Sequence, residues 1–380
     1  MVTTLEINPI KEQQESTFKN PGLANLLEWH RGEKHAIVLQ DYPDPDAISS
    51  AFMHRLISAR FDISVDILYG GMISHQQNLA LVKWLNLEAI KFDPAKDVVQ
   101  YDAAVLIDNQ GTTAKDLVKA LAAAGVRLLA VIDHHDVQNM IQAEFSDVRK
   151  VGATATIYTQ YIREGLFDLD RSNKQHVLAA TALMHGIMTD TGNFIQAKED
   201  DFEAASFLSQ YADSQALKEI MSQSRSKQTM DVIQSAIANR TIVQNYSIAG
   251  VGYIRAEDRD AIPQAADLLL TEDNVHTALV YGIVIDENQA ENLVGSFRTT
   301  KFTLDADKFI KEVFGKTQGG EYFGGGKDFS GGFMIPVGFL TGTFSKDYLD
   351  LKWQLFSQQV RHLLLEKIDV RSVKTEDSPA

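Results

Sequence analysis

The sequence predicts an α/β protein of two domains, and three observations carry that prediction. Short apolar runs of four to six residues are each stopped by turn residues or acids. Helical stretches of about ten residues lie between them. Further on the texture changes, and ten of the 24 glycines fall between Gly315 and Gly342. Runs that alternate with helices indicate a parallel sheet with helices on both faces. A chain of 380 residues has room for two or three domains at ~100–200 residues each.

The first domain is expected over 21–215. Ala36-Ile37-Val38-Leu39 reads as a buried strand that stops at Gln40-Asp41-Tyr42-Pro43-Asp44-Pro45-Asp46, with a helix from Ala47 to Ile57. Val65 to Tyr69 is a second strand, stopped by Gly70-Gly71, with a helix near Asn78 to Leu85. Ala103 to Ile107 is a third and ends at Asp108; Ala114 to Ala124 is helical and Gly125 closes it. Arg127 to Ile132 is a fourth and ends at Asp133-His134-His135. Thr154 to Arg163 and Lys174 to Met188 read as further helices. Leu217 to Ala238, polar, amphipathic and free of Gly and Pro, carries a helical connector over 216–240. A second, smaller α/β domain covers 241–365, with strands at Ile248–Ile254 and Thr277–Ile285. Residues 1–20 read as a polar arm, and those after Arg371 as a solvated tail.

Composition narrows the function classes. Lys and Arg number 36 against 51 Asp and Glu, a formal charge of −15. A protein that coats duplex nucleic acid carries an excess of cations instead. The chain has no cysteine, which excludes disulfides, Cys-based zinc sites and a Cys nucleophile, and fits a reducing, cytoplasmic setting. Met1 to Glu15 lacks the apolar core of a signal peptide. No apolar run approaches the ~20 residues that cross a bilayer, so no membrane partner is expected.

The acids and histidines stand at strand ends. Asp44 and Asp46 follow the first strand, Asp108 the third, and Asp133, His134 and His135 the fourth; Asp190 follows a helix in Gly186-Ile187-Met188-Thr189-Asp190-Thr191-Gly192. In an open parallel sheet, ligands bind outside the carboxyl ends of the strands. Carboxylates that converge there repel one another unless divalent cations sit among them. Carboxylates suit Mg²⁺ and Mn²⁺, and imidazole shifts the choice toward the transition ion. Each acid also has a plainer account as a turn or helix cap. The convergence of all of them on one sheet edge favours a metal site.

These motifs, in this order, resemble the four motifs of the DHH phosphoesterases. The resemblance runs from about Lys34 to Phe207. The glycine-rich C-terminal part resembles the DHHA1 domain of nanoRNase/pAp phosphatase-like and RecJ-related members, through Gly295-Ser296-Phe297-Arg298 and Gly324-Gly325-Gly326-Lys327. It implies two Mn²⁺ ions, with Mg²⁺ as a substitute, and an active-site cleft between the domains. Asp108 would bridge the ions, Asp44 would bind one, and Asp46, His134 and Asp190 the other. His135 would face substrate as a phosphate ligand or proton donor, and Asp133 would orient the imidazoles. With water as the source of the nucleophile, no covalent enzyme intermediate is expected. Arg298, Gly324, Gly325, Gly326 and Lys327 would bind substrate, and so would His75 in Ser74-His75-Gln76-Gln77-Asn78.

Two positions depart from the family pattern. Gln40 stands where many small-substrate members have His, and Lys327 where they have the histidine of Gly-Gly-Gly-His. Lys still binds phosphate, as a point charge. Arg298 to Lys327 carries six Lys/Arg and four Asp/Glu, a local excess of positive charge. His176 and His185 share one helix and read as structural, as do Trp29, Trp84 and Trp353. The expected function is Mn²⁺-dependent hydrolysis of phosphoesters in short oligonucleotides, linear or cyclic dinucleotides or pAp. The alternatives are pyrophosphate or polyphosphate hydrolysis, and a nucleotide-binding protein with weak turnover. The partner is a small phosphorylated nucleotide, with a homodimer left open.

Overall fold

A computed structural model describes residues 21–368, except 95–97, 99, 139–140, 287–288, 328 and 343–344. The arm expected over 1–20 and the tail after Arg371 lie outside the described residues. The chain divides into two compact units between Gln223 and Ser224.

The first unit runs α1 (Pro21–Trp29), β1 (Lys34–Val38), α2 (Pro45–Ala59), β2 (Ser64–Tyr69), α3 (Gln76–Leu85), β3 (Ala89–Lys91), β4 (Ala103–Ile107), α4 (Lys115–Ala123), β5 (Arg127–Asp133), β6 (Phe145–Val148), α5 (Thr154–Arg163), α6 (Lys174–Asp190), α7 (Glu199–Leu208) and α8 (Ser214–Met221). Its six strands form a sheet in the order β3-β2-β1-β4-β5-β6, with every pair parallel. Side chains alternate across it as a strand requires. Ile37, Ile67, Val105 and Ile132 face the core shared with α2, α5 and α6. Ala36, Val38, Leu106 and Val131 face the core with Leu117 and Leu121 of α4.

The second unit runs α9 (Lys227–Asn239), β7 (Thr241–Val243), β8 (Tyr246–Arg255), α10 (Ala261–Leu269), β9 (Thr277–Ile285), β10 (Glu291–Thr299), α11 (Ala306–Phe314), β11 (Gly324–Lys327), β12 (Ser330–Pro336) and α12 (Lys346–Lys367). Its sheet has the order β11-β12-β10-β9-β8-β7, parallel only between β8 and β9, which α10 connects. One face packs Ile233 and Ala236 of α9 and Ile262 and Ala266 of α10. The other packs Phe309 and Ile310 of α11 and Val360 and Leu364 of α12.

The stretch expected as one connecting helix is two helices, α8 and α9. Ser226 stops the run by capping α9, its hydroxyl accepting from Thr229 N at 3.0 Å. The glycine-rich segment is two paired strands rather than turns alone, β11 and β12. Cβ atoms on Gly324 and Gly326 would lie 2.3 and 2.2 Å from carbonyl oxygens of β12, so packing alone calls for glycine there. Trp84 and Trp353 pack against the cores, whereas Trp29 is 78% exposed at the end of α1. No helix among the described residues is long and apolar enough to cross a membrane.

Candidate metal centre

The direction of chain progression reverses between β1 and β4, so the crevice beyond their carboxyl ends is the natural ligand position. Asn109 ties the two strand ends together there, donating to Val38 O at 3.0 Å and to Ile107 O at 2.9 Å. Asp44 and Asp46 leave from β1 and Asp108 from β4, while His134 and His135 follow Asp133 at the end of the neighbouring β5.

In Pro43-Asp44-Pro45-Asp46, the cap reading holds for Asp44. Its Oδ1 accepts from Ala47 N at 2.9 Å, and Pro45 takes the first helical position. Asp46 does something else. It is fully buried and accepts from Thr154 N at 2.6 Å and Ala155 N at 2.7 Å, at the start of α5. Ala153 gives that helix no side-chain cap, so the Asp46 carboxylate serves its first N–H groups.

Asp108 does not cap α4, whose N-cap residue is Ala114. It sits at φ 59°, a left-handed conformation that Asp tolerates better than most residues. Its Oδ1 accepts from Thr154 Oγ1 at 3.0 Å. Asp190 is the last residue of α6, where the helix presents its negative end. A carboxylate there calls for a positive partner, and His134 Nε2 lies 3.2 Å from its Oδ2.

The adjacent imidazoles divide their tasks. His134 Nδ1 lies 3.2 Å from Val151 O. A carbonyl only accepts, so Nδ1 carries a proton there, and Nε2 faces Asp190, Asp108 at 3.6 Å and Asp46 at 4.0 Å. His135 Nδ1 lies 2.7 Å from Asp133 Oδ1, and its ring is partly exposed. Asp133 also accepts from the backbone N–H groups of His134 and His135 and from Gln110 Nε2. Burial alone would raise its pKa, but the His135 and Gln110 hydrogen bonds bring it down to about 2.

Two triplets of ligand atoms converge within 4.8 Å: Asp46, His134 and Asp190, and Asp108, His134 and His135. Asp44 is in neither triplet, but it is near enough to raise the pKa values of both Asp46 and Asp108. Burial pushes Asp46 and Asp108 well above the usual carboxylate range, and the neighbouring carboxylates push further. Asp108 Oδ2 is buried without a hydrogen-bond partner. Crowded carboxylates, an orphaned oxygen and an imidazole nitrogen facing them are the donor set of a divalent cation, and these residues fit one.

Packing holds the cluster together. A Cβ on Gly186 of α6 would lie 2.6 Å from Ser49 Oγ and 3.1 Å from Asp46 Cα, so α2 and α6 touch through a missing side chain. Asp41 is turned toward Gly70 and Asp116. His75 caps α3, its Nδ1 accepting from Gln77 N. Asn78 Nδ2 donates to Pro43 O at 3.0 Å and braces the turn before Asp44. His185 is buried, and burial, with His75 nearby, lowers its pKa to about 4. In the second unit, Asp267 Oδ1 lies 2.7 Å from Arg298 Nε, and Gly326 N donates to Asp307. Lys327 is exposed.

Sequence reading missed Thr154, Val151, Gly152 and Asp201, which shape the cluster from behind. The one trace was a helix that begins at Thr154 with no capping residue before it.

No family model matches the chain. An uncharacterized protein of Methanocaldococcus jannaschii is 34% identical over 332 residues, 87% of this chain and 63% of that protein. The chain thus spans less than two thirds of that relative's length. The crystal structure of an exopolyphosphatase-related protein from Bacteroides fragilis matches with a TM-score of 0.64 and 16% identity, over 92% of this chain and 100% of that one. That match shows a shared fold. Exonuclease RecJ bound to manganese matches with a TM-score of 0.43 and 13% identity, over 94% of this chain and 100% of that one.

Proposed function

We propose that the chain hydrolyses phosphoester bonds in small nucleotide substrates, with divalent metal ions held at Asp44, Asp46, Asp108, His134 and Asp190. One observation carries the reading. Three carboxylates from separate elements converge on His134 Nε2, beside an oxygen of Asp108 that has no partner. When bound, such ions supply Lewis-acid charge to a phosphoryl group and make water more acidic.

The protein's own groups do the rest. Asp133 holds the Nδ1 proton of His135, which leaves Nε2 as the nitrogen available to a substrate oxygen. From there His135 can bind a phosphate oxygen or give a proton to the leaving group. Thr154 keeps Asp108 oriented, and the α5 N-terminus does the same for Asp46. His75, Arg298, Gly324, Gly325, Gly326 and Lys327 are the proposed substrate contacts, with Arg298 and Lys327 holding a phosphate that is not broken.

The substrates favoured are short oligonucleotides, linear or cyclic dinucleotides and pAp. The name of the Bacteroides fragilis protein supports a second reading, hydrolysis of pyrophosphate or polyphosphate on the same residues. Mn²⁺-loaded protein assayed side by side against pApA, cyclic di-AMP, pAp and pyrophosphate distinguishes the two. Undiminished hydrolysis in excess chelator overturns the metal reading. Tight nucleotide binding without turnover makes the chain a binding protein instead.

A further inference from the structure

Asp201 is fully buried, and the residues proposed above as ligands do not include it. Its two oxygens have separate tasks. Oδ2 accepts from Lys198 N at 2.8 Å and so caps α7. Oδ1 reaches out of its own helix and accepts from Gly152 N at 3.0 Å and from Thr156 Oγ1 at 2.6 Å.

That second pair matters because of what the 151–156 segment touches. Val151 O fixes the tautomer of His134. Thr154 N and Ala155 N hold Asp46, and Thr154 Oγ1 holds Asp108. Three of the five proposed ligands are therefore oriented by one short stretch of chain, and Asp201 grips that stretch on both sides of Thr154. The seat is close-fitting, since a Cβ on Gly152 would lie 2.3 Å from Asp201 Oδ2 and 2.5 Å from Thr191 Cγ2.

We propose that Asp201 is a positioning residue for the metal centre, acting through the 151–156 segment on His134, Asp46 and Asp108. The inference rests on the metal reading of the cluster. Groups that orient ligands from outside are commonly worth about 10–100-fold in metal affinity.

The test compares the full chain with Asp201→Asn, Asp201→Ala and Thr156→Val. Asn keeps an oxygen for Gly152 and Thr156 but turns an NH₂ toward Lys198 N, so it separates the loop task from the cap task. The readouts are Mn²⁺ affinity by calorimetric titration, the His134 tautomer by ¹⁵N NMR on metal-free protein, and Tm. Asp201→Ala is expected to weaken Mn²⁺ binding about 10–100-fold and to mix the tautomers. Thr156→Val is expected to fall between Ala and wild type. Asp201→Asn is expected to lose Tm yet keep wild-type affinity and the Nδ1–H tautomer. If Ala and Val lower Tm alone, Asp201 is a helix cap and the proposal fails. If Asp201→Ala does not fold, Thr156→Val decides. Should the wild type take up no Mn²⁺, the metal reading fails, and the tautomer comparison alone decides the role of Asp201.

Discussion

Gln40 donates to Asp44, with its Nε2 3.1 Å from Asp44 Oδ2. The residue that the resemblance sets against a histidine is thus turned toward the cluster and holds one of its carboxylates. Removing such an outside partner commonly costs about 10–100-fold in metal affinity, so Gln40→Ala should weaken one Mn²⁺ site by about tenfold or more. Gln40→His should strengthen it, because imidazole is the better ligand. Titration of metal-free protein checks both, and unchanged affinities would make Gln40 a spectator.

Asp108→Asn should abolish Mn²⁺-dependent turnover and leave the fold intact, since Asn also accepts the left-handed backbone at this position. It should also raise the Tm of the metal-free protein. The pKa values of Asp46 and Asp108 are raised in the fold by burial and then by repulsion. Their stabilising contribution is therefore present at low pH and lost as pH rises through the folded values. The Tm gap between variant and wild type should widen from about pH 4 toward neutrality, in thermal melts with chelator. A wild type as stable as the variant at neutral pH would remove the repulsion argument.

His54 gives the opposite pH dependence. It is buried with its Nδ1 on Tyr158 OH, and burial lowers its pKa to about 3. Above the unfolded value of ~6.5 neither state is protonated and the term vanishes. Below it the unfolded chain takes a proton that the fold refuses, at ~1.4 kcal/mol per pH unit. Wild type should therefore lose stability relative to His54→Gln between about pH 6.5 and pH 5, as urea unfolding will register. Parallel curves for the two proteins would mean that His54 titrates normally.

Lys327→Ala separates substrate holding from chemistry. A charge-assisted contact is worth ~1.5–3 kcal/mol, so kcat/KM for a dinucleotide should fall by about one to two orders of magnitude. Hydrolysis of bis-p-nitrophenyl phosphate, which offers no second phosphate, should be unaffected. Equal losses on both substrates would place Lys327 in the chemistry or the fold. No loss on either would make the Gly-Gly-Gly-Lys segment a surface strand.

Four of the six strands of the first sheet, β1, β2, β4 and β5, are legible because each is an apolar run ended by turn residues, an acid or a glycine, whereas the three residues of β3 are too few to show a pattern. That regularity alone places Asp46, Asp108 and His134 at one edge of the sheet. The short strand Phe145-Ser146-Asp147-Val148 was not legible, because a four-residue edge strand with two polar members shows no period. In the second unit, the sequence reads Gly324 to Gly326 as substrate contacts, because their packing role is invisible until β12 and α11 lie against them. Thr154 left only the uncapped start of α5 as a trace. Its amide meets a carboxylate 108 residues earlier in the chain, and no local pattern records such a pairing.

Gly186 supplies no ligand atom, yet it is the contact that brings the helix ending in Asp190 against the helix that carries Asp46. A side chain there would displace the Ser49 hydroxyl and press on the α2 backbone at Asp46, and so on the distance between two carboxylates. In a saturation library this position should be as intolerant as the acids themselves, and a screen for lost activity would mark it as catalytic. The two halves of the cluster are thus coupled through an empty volume. A lineage could exchange a ligand for another of similar reach more readily than it could add a methyl group at position 186.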